Sequence, residues 1–279
     1  MAIDFDPRPV GVFDSGIGGL TVLKELAYQF PNESFIYLGD TARLPYGSKS
    51  PQTIRKYTEQ NIDFLIRQNV KAIVIACNSA STQMREFEYK GIRIYNVIDP
   101  GAATALAKSD SGRIGVLGTR ATIQSESYAL TIKQLNSQAQ IFSIACPLFV
   151  PLAEENWDND PITNLIAFRY LQPILQENID VLILGCTHYP LLKNSIAKVT
   201  GSAIELVDSG MAVCDILRKD FEALKMIPGF TSDSQNGDTN STHKREIHIL
   251  TTDSSAHFNQ LAQKILLPTI ADHFECVNV

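Results

Sequence analysis

Short apolar segments alternate with segments of helical period along most of the 279-residue chain. The apolar segments are rich in valine, isoleucine and leucine, and turn residues follow most of them. Strands this apolar, separated by helices, indicate parallel sheets that are covered by helices on both faces. Strands are predicted at residues 10–14, 34–39, 71–76, 92–98, 113–118, 140–145, 181–185 and 204–208. The predicted fold class is therefore α/β with mostly parallel sheets.

Apolar residues at helical spacing predict helices between these strands. One stripe consists of Leu20, Leu23, Ala27 and Phe30, and a less regular one of Ile54, Tyr57, Asn61 with Ile62, and Leu65. Asp160 followed by Pro161 predicts the start of another helix, because aspartate caps free N–H groups and proline suits the first turn.

The C-terminal part of the chain is divided by a polar segment. A helix is predicted at residues 209–224, a strand at 246–253 and a last amphipathic helix at 256–267. Residues 230–245 are polar and rich in turn-forming types, which predicts a surface loop.

Two short patterns occur twice, which suggests two related units. FDSG at 13–16 and VDSG at 207–210 each end an apolar strand and open a helix. The cysteine motifs IVIACNSAST at 73–82 and ILGCTHYPLL at 183–192 do the same. We predict two pseudo-symmetric three-layer domains, one of residues 1–98 and 208–279 and the other of residues 99–207.

The net charge and the apolar segments of the chain limit the kinds of partner and location that can be expected. The formal net charge is −6, so no overall basic field would attract nucleic acid or an anionic membrane. A small molecule or a protein is the expected partner. No run of 18 apolar residues occurs, and the first residues lack the basic and apolar regions of a secretion signal. A soluble, cytoplasmic protein is therefore predicted.

The chain has five cysteines, and their odd number argues against a disulfide framework. They form no CxxC pair, so zinc or thioredoxin-type chemistry has little support. An isolated cysteine is most often a small buried hydrophobic residue. We interpret Cys146, Cys214 and Cys276 in this way.

Cys77 and Cys186 differ from the others because each follows a predicted strand and precedes polar residues. In parallel α/β sheets, ligands bind beyond the carboxyl ends of the strands. The backbone N–H groups of the helix that follows each cysteine suit a carboxylate or a phosphate. The turns that begin at Asp14, Thr119 and Asp208 have the same arrangement, so a ring of anion-binding turns is predicted.

Each polar residue near these cysteines also has a purely structural explanation. His188 could be a hydrogen-bonded core imidazole. Asp14 could cap the helix that begins near Gly18 or Gly19, which is the commoner role of such an aspartate. The glycines of DSGIGG could form only a tight turn. The other histidines are interpreted as surface or structural residues: His243, His248, His257 and His273.

Two thiols that face each other across a cleft suit the inversion of a stereocentre bearing an acidic proton. A base must remove the proton from one face while an acid returns a proton to the other. Cysteine fits both roles, because a small fraction is thiolate near neutral pH and each residue can exchange its role when the reaction reverses.

Five motifs of this chain, in order and spacing, resemble those of the cofactor-independent glutamate racemases: VFDSGIGGLTVLKEL, LGDTARLPYGSKS, ACNSAST, GVLGTRATI and GCTHYPLL. The resemblance covers nearly the whole chain. It implies a two-domain α/β protein with its site in the interdomain cleft, which interconverts L- and D-glutamate for peptidoglycan synthesis. It also implies a homodimer and no pyridoxal phosphate, metal or nicotinamide.

The resemblance also implies a role for individual residues. Cys77 and Cys186 correspond to the two proton-transferring thiols, with Asp14 and His188 as polar helpers beside them and Glu154 as a further acidic helper. The implied substrate-binding set is Asp14, Ser15, Tyr46, Gly47, Asn78, Ser79, Thr119, Thr122, Thr187 and His188. Ser79 stands where the family more often has threonine, and the hydroxyl is kept.

Three alternatives stay open at this point. A racemase of aspartate or a related amino acid would use the same paired thiols. A phosphate- or nucleotide-binding protein could use DSGIGG, although GxxxxGK[ST] is absent. A dithiol redox switch would require the Cα atoms of Cys77 and Cys186 to lie within about 7 Å of each other.

Overall fold

The computed structural model describes residues 6–224, 245–266, 271 and 273–279. The predicted loop at 230–245 lies outside the described residues except for Arg245. None of the described helices is both long enough and apolar enough to cross a bilayer.

A larger sheet contains seven strands within the described residues. These are β1 (Val10–Asp14), β2 (Phe35–Gly39), β3 (Ala72–Ile75), β4 (Glu88–Tyr89), β5 (Ile92–Asn96), β10 (Ile247–Thr251) and β11 (His273–Cys276). Their order is β11-β10-β2-β1-β3-β5-β4, and every pair is parallel except β4 with β5. The C-terminal strand β10 therefore returns to the first part of the chain, beside β2.

A second sheet contains four parallel strands, in the order β7-β6-β8-β9, among the described residues. These are β6 (Arg113–Gly118), β7 (Gln140–Ala145), β8 (Val181–Gly185) and β9 (Glu205–Asp208). All eight strands predicted from the first 208 residues occur, some shortened by one or two residues at an end. For example, the strand predicted at 92–98 ends at Asn96, because a helix begins at Ile98.

The helices cover both faces of each sheet. They are α1 (Leu20–Gln29), α2 (Pro51–Arg67), α3 (Asn78–Ser81), α4 (Ile98–Lys108), α5 (Arg120–Gln124), α6 (Ser127–Leu135), α7 (Phe149–Glu154), α8 (Pro161–Leu175), α9 (Lys193–Thr200), α10 (Ser209–Ala223) and α11 (Ala256–Leu266). Short 3₁₀ turns occur at Thr41–Arg43, Tyr46–Ser48 and Tyr189–Leu192. The start of α8 is as predicted, because the Asp160 carboxylate accepts a hydrogen bond from the Ile162 backbone N–H at 2.8 Å.

Each sheet has a hydrophobic core on each of its two faces. Helices α1, α10 and α11 pack on one face of the larger sheet, and α2 with α3 pack on the other. Helices α7, α8 and α9 cover one face of the second sheet, and α4 with α6 cover the other. The four residues of the predicted α1 stripe are all buried. The α/β fold class with mostly parallel sheets is confirmed, whereas the domain boundaries at residues 98 and 207 stay a prediction.

Strand order determines which sequence motifs meet. In the larger sheet β1 pairs with β3, so Asp14 at the end of β1 lies next to the turn that carries Cys77. In the second sheet β6 pairs with β8, with Gly118 opposite Gly185. Thr119 and Cys186, which follow these two glycines, therefore leave the sheet side by side.

Candidate active site

A cleft of about 220 Å³ contains both motif cysteines. Its lining residues are Ser15, Pro45, Tyr46, Gly47, Ser48, Cys77, Asn78, Ser79, Thr119, Arg120, Pro147, Val150, Pro151, Cys186, Thr187 and His188. Both thiols are free. Cys77 and Cys186 come from different sheets and line one cavity, so a single small molecule can contact both.

Cys77 follows β3 and precedes the short helix α3. Its Sγ lies 3.7 Å from Ser15 Oγ, to which it can donate a hydrogen bond. Ser15 follows Asp14 directly, at the end of the neighbouring strand β1. The first cysteine therefore has a hydroxyl and a buried carboxylate close to it.

Asp14 connects the two halves of the cleft. One carboxylate oxygen accepts a hydrogen bond from the Gly16 backbone N–H at 2.9 Å, and the other accepts one from the Thr187 hydroxyl at 3.2 Å. Helix α1 is preceded by Gly19 and has no side-chain cap. The structural explanation of Asp14 as a helix cap is therefore wrong, because this side chain is turned toward the Cys186 loop instead.

Cys186 has a different set of neighbours. The Nδ1 atom of His188 lies 3.9 Å from Cys186 Sγ, and its Nε2 atom lies 3.1 Å from the Glu154 carboxylate at the end of α7. His188 is only 5% exposed, so its imidazole is held between a thiol and a carboxylate inside the protein. This arrangement can supply or hold a proton beside Cys186.

Asn78 is fixed in place and has a free acceptor. Its side-chain NH₂ donates to the Tyr128 hydroxyl at 2.9 Å and to Ser209 Oγ at 3.0 Å. Its Oδ1 atom is buried and accepts no hydrogen bond from any described residue. A buried amide oxygen without a donor is costly, so this atom suits a ligand N–H group such as an ammonium.

Three hydroxyl groups form a cluster that joins the two sheets. Ser79 Oγ lies 2.8 Å from Thr119 Oγ1 and 3.3 Å from Thr122 Oγ1, and the two threonine oxygens are 3.0 Å apart. Hydroxyls both donate and accept, so this cluster can adapt to a carboxylate.

Tyr46 and Gly47 belong to a short 3₁₀ turn that lines the cleft. The Tyr46 hydroxyl donates to the Asp40 carboxylate and accepts from the Asn61 side-chain NH₂ at 2.9 Å. A Cβ atom on Gly47 would lie 2.5 Å from Thr119 Cβ. Glycine at this position allows the turn Tyr46–Ser48, which follows β2 of the larger sheet, to contact Thr119 at the end of β6 in the second sheet.

A family model settles the classification. The model described as Asp/Glu/Hydantoin racemase matches residues 15–217. The chain belongs to this racemase family. The resemblance to glutamate racemases noted from the five motifs is confirmed by the curated relatives.

Two such relatives and one solved structure illustrate the similarity. A glutamate racemase of Geobacter metallireducens is 46% identical over 217 residues, which are 76% of this chain and 80% of the relative. A glutamate racemase of Streptococcus pneumoniae is 40% identical over 97% of this chain and 99% of its own length. The crystal structure of the Francisella tularensis glutamate racemase in complex with D-glutamate has a TM-score of 0.87 and 39% identity, and the match covers 98% of both chains.

Of the thirteen site residues predicted for this racemase, ten line the cleft and three lie behind it. Asp14, Thr122 and Glu154 are absent from the lining but touch Thr187, Ser79 and His188 respectively. The turn that begins at Asp208 does not line the cleft, contrary to the predicted ring of turns. Ser209 from this turn instead holds the amide of Asn78.

Sequence reasoning did not single out several lining residues. Arg120 lies inside the quoted GVLGTRATI motif, so its charge was a signal that could have been used. Pro147, Val150 and Pro151 precede Glu154 in one segment and form an apolar wall of the cleft. An apolar wall residue resembles any core residue in sequence, and only the fold shows where it lies.

The remaining cysteines and histidines lie away from the cleft or outside the description. Cys146 and Cys214 are buried as predicted, whereas Cys276 is exposed on β11, which corrects the interpretation of that residue as buried. The rings of His248 and His273, on β10 and β11, pack edge to face with their centroids 4.9 Å apart. His243 and the side chain of His257 lie outside the described residues. Among the described residues, no group of histidine, cysteine and acidic side chains is arranged to hold a metal ion.

The charge state of the two cysteine sites differs. Burial raises the pKa of Cys77, and the nearby Asp14 carboxylate raises it further, while the hydrogen bond to Ser15 opposes the shift. Burial lowers the pKa of His188, but hydrogen bonds to Cys186 and Glu154 outweigh that effect and raise it to about 10. At neutral pH, Cys77 therefore holds its proton and His188 is an imidazolium next to Cys186.

The raised pKa of His188 also affects folding. In the unfolded chain its ordinary pKa of 6.5 applies. The folded state therefore binds this proton more tightly, which contributes stability that is complete below about pH 6.5 and is lost as the pH rises through about 10.

Proposed function

We propose that this chain is a glutamate racemase that interconverts L- and D-glutamate without a cofactor, by proton transfer to and from Cys77 and Cys186. The observation that carries this proposal is that two free thiols from different sheets line one small cleft. The membership in the racemase family and the names of the curated relatives support glutamate as the substrate. D-Glutamate made in this way would serve peptidoglycan synthesis, as the resemblance implies.

The first proton transfer follows from the neighbours of each thiol. A protonated imidazole stabilises an adjacent thiolate, so Cys186 beside His188 is assigned as the base in the resting enzyme. Cys77 keeps its proton because its pKa is raised, and it is assigned as the acid on the opposite face. Breaking the Cα–H bond toward Cys186 and forming a new one from Cys77 inverts the stereocentre. The two residues exchange roles for the opposite enantiomer.

The helpers act on these protons in different ways. His188 holds positive charge beside Cys186, and Glu154 keeps that imidazole protonated. Asp14 opposes negative charge at Cys77 and so favours its acid form. His188 and Asp14 are thus proposed to assist proton exchange at Cys186 and Cys77 respectively.

Proton transfer alone cannot account for the rate. General acid and base groups contribute on the order of 10²- to 10⁴-fold, which is too little for so weak a carbon acid. Positioning can supply about 7–11 kcal/mol. Fixed donors can stabilise the enolate-like charge that develops on the α-carboxylate. The hydroxyl cluster of Ser79, Thr119 and Thr122 and the buried Oδ1 of Asn78 are placed for this positioning.

The packing of the first loop argues against the phosphate-binding alternative. A Cβ atom on Gly18 would lie 2.4 Å from Thr187 Oγ1, and one on Gly19 would lie 2.3 Å from Asp14 Cβ. Protein atoms therefore fill the space on this side of both glycines. The N–H group of Gly16 is already bonded to Asp14, a carboxylate that would repel such an anion.

The decisive experiment uses purified protein without added cofactor. Incubation with L-glutamate in D₂O is expected to remove the α-proton NMR signal, because each inversion introduces a solvent deuteron, and the optical rotation, because both enantiomers form. L-Aspartate in a parallel sample separates the aspartate alternative. Unchanged optical rotation with L-glutamate would refute the proposal, and racemisation of L-aspartate alone would favour the aspartate alternative.

Replacing Glu154 with glutamine is expected to move the alkaline limb of the pH–rate profile to lower pH. The carboxylate is one of the groups that raise the pKa of His188 to about 10, so without it the imidazolium loses its proton at a lower pH. The measurement is kcat in both directions between about pH 7 and about pH 10.5. Glu155→Gln is the matched control, because Glu155 is the exposed neighbour of Glu154. An alkaline limb that coincides in Glu154→Gln and wild type would disprove this role.

We propose three further features: a division into domains, a homodimer and a cytoplasmic location. The two sheets support a division into domains of residues 1–98 with 208–279 and of residues 99–207. A homodimer in the cytoplasm is proposed from the resemblance, and symmetric dimers are the commonest assembly. Sedimentation at twice the mass of one chain would support the dimer.

A further inference from the structure

Arg120 stands out among the residues that line the cleft. It is the exposed first residue of α5, and its neighbour Thr119 belongs to the hydroxyl cluster inside the cavity. The other lining side chains are uncharged except His188 and, when ionised, the cysteines. Arg120 therefore supplies the permanent positive charge of the lining.

The charges around the cleft otherwise oppose an anionic substrate. Glutamate carries two carboxylates and one ammonium, and so has a net charge of −1 near neutral pH. The chain carries a formal net charge of −6. Asp14 adds a buried carboxylate directly behind Thr187, and Glu154 adds another behind His188. The imidazolium of His188 is engaged by Glu154 and Cys186.

The guanidinium of Arg120 is not held in this way, although its charge acts on the nearby Tyr170 hydroxyl, where it opposes the rise in pKa that burial causes. No hydrogen bond or ion pair to it is found in residues 6–224 or the described part of the C-terminal segment. By contrast, Arg43 and Arg113, which lie near the same two sheets, are each held by several acceptors. A long cationic side chain without a hydrogen bond or an ion pair at the mouth of the cleft can contact an incoming anion.

We infer that Arg120 captures the anionic amino-acid substrate at the mouth of the cleft and positions it by charge. This inference rests on the proposed function. Arg120 acts before the chemical step, so it raises the occupancy of the cleft and leaves proton transfer to the two thiols. A charge at the rim of a binding site chiefly affects association and its dependence on salt.

The test compares three variants of the full chain. Arg120→Gln removes the charge, Arg120→Lys keeps it with a different shape, and Arg169→Gln removes an exposed arginine of the same half that does not line the cleft. Arg120→Gln is expected to raise KM for glutamate by roughly 3- to 10-fold with kcat within about 2-fold of wild type. Arg120→Lys and Arg169→Gln are expected to keep both values within about 2-fold.

Ionic strength provides a second readout that a structural role would not change. Salt shortens the range of a charge to about 10 Å at 0.1 M, so kcat/KM of the wild type is expected to fall as salt rises. In Arg120→Gln, kcat/KM is expected to fall less steeply with salt concentration than in the wild type. The inference would be overturned if Arg120→Gln had the same KM and the same salt dependence of kcat/KM as the wild type. It would also be overturned if Arg120→Lys raised KM as much as Arg120→Gln does.

Failure of this inference can be distinguished from failure of the proposed function. Binding of L-glutamate is also measured by calorimetry, and Arg120→Gln is expected to weaken it by the same factor as KM. A wild-type protein that binds glutamate but does not racemise it would refute the proposed function and still test Arg120. Equal glutamate affinity in wild type and Arg120→Gln would refute the role of Arg120 alone.

Discussion

Replacement of either Cys77 or Cys186 with alanine is expected to abolish the racemisation of glutamate. Inversion needs a base on one face of the α-carbon and an acid on the other. Each thiol is the proposed proton-transferring group on one of these faces. A general acid or base is worth on the order of 10²- to 10⁴-fold in rate. We expect each variant to lose at least about 10³-fold in kcat in both directions.

The measurement follows optical rotation and the α-proton NMR signal in D₂O, starting from each enantiomer separately. Cys214→Ala serves as the control, because Cys214 is a buried thiol of α10 whose Sγ contacts the Gly210 carbonyl oxygen outside the cleft. Unfolding temperatures of all three variants separate loss of chemistry from loss of fold. If Cys77→Ala or Cys186→Ala racemised glutamate at the wild-type rate, that thiol would have no part in the mechanism.

The strands and the position of the two thiols could be predicted from sequence because both depend on local patterns. An apolar run that ends in a cysteine and polar residues marks a strand end, and parallel sheets gather such ends at one edge. Strands β4 and β11 were not predicted. β4 has only two residues, and β11 is exposed at the edge of its sheet, so neither has the apolar pattern of a buried strand.

The contacts that distinguish the two thiols could not be predicted from sequence alone. Asp14 and Thr187 are separated by 173 positions, and Glu154 reaches His188 from another helix. An aspartate at a strand end looks the same in sequence whether it caps a helix or faces a partner across the cleft. The raised pKa values of Cys77 and His188 depend on burial and on neighbours that are distant in sequence, so they follow only from the folded structure.

The loop DSGIGG connects these distant contacts, and its glycines have different packing requirements. Gly18 lies against the Cys186 loop, where an added Cβ atom would be 2.4 Å from Thr187 Oγ1 and 2.5 Å from His188 Nδ1. Thr21 supports the same approach, since its hydroxyl donates to the Thr187 carbonyl oxygen at 3.1 Å. The DSGIGG loop and the Cys186 loop are thereby held together by a glycine that has no reactive group.

Gly18→Ala is expected to reduce kcat/KM by roughly 10²-fold. The new methyl group would displace Thr187 and His188, and a shift of about 1 Å at a reacting centre can cost that factor. Overpacking of this kind also costs about 1–3 kcal/mol of folding stability, which denaturant unfolding would measure. Because His188 would move away from Cys186, the alkaline limb of the pH–rate profile should shift as well.

Gly16→Ala in the same loop is the control for Gly18→Ala. It shows whether a loss of activity comes from displacement of the Cys186 loop or from any alanine in the DSGIGG loop. A Cβ atom on Gly16 would meet only Leu44 Cδ2, at the ordinary contact distance of 3.4 Å. This variant is expected to keep kcat/KM within about 3-fold of wild type and to change stability by less than about 1 kcal/mol. Equal losses in Gly16→Ala and Gly18→Ala would mean that the loop tolerates no side chain at either position, and the contact with Thr187 and His188 would not be the cause.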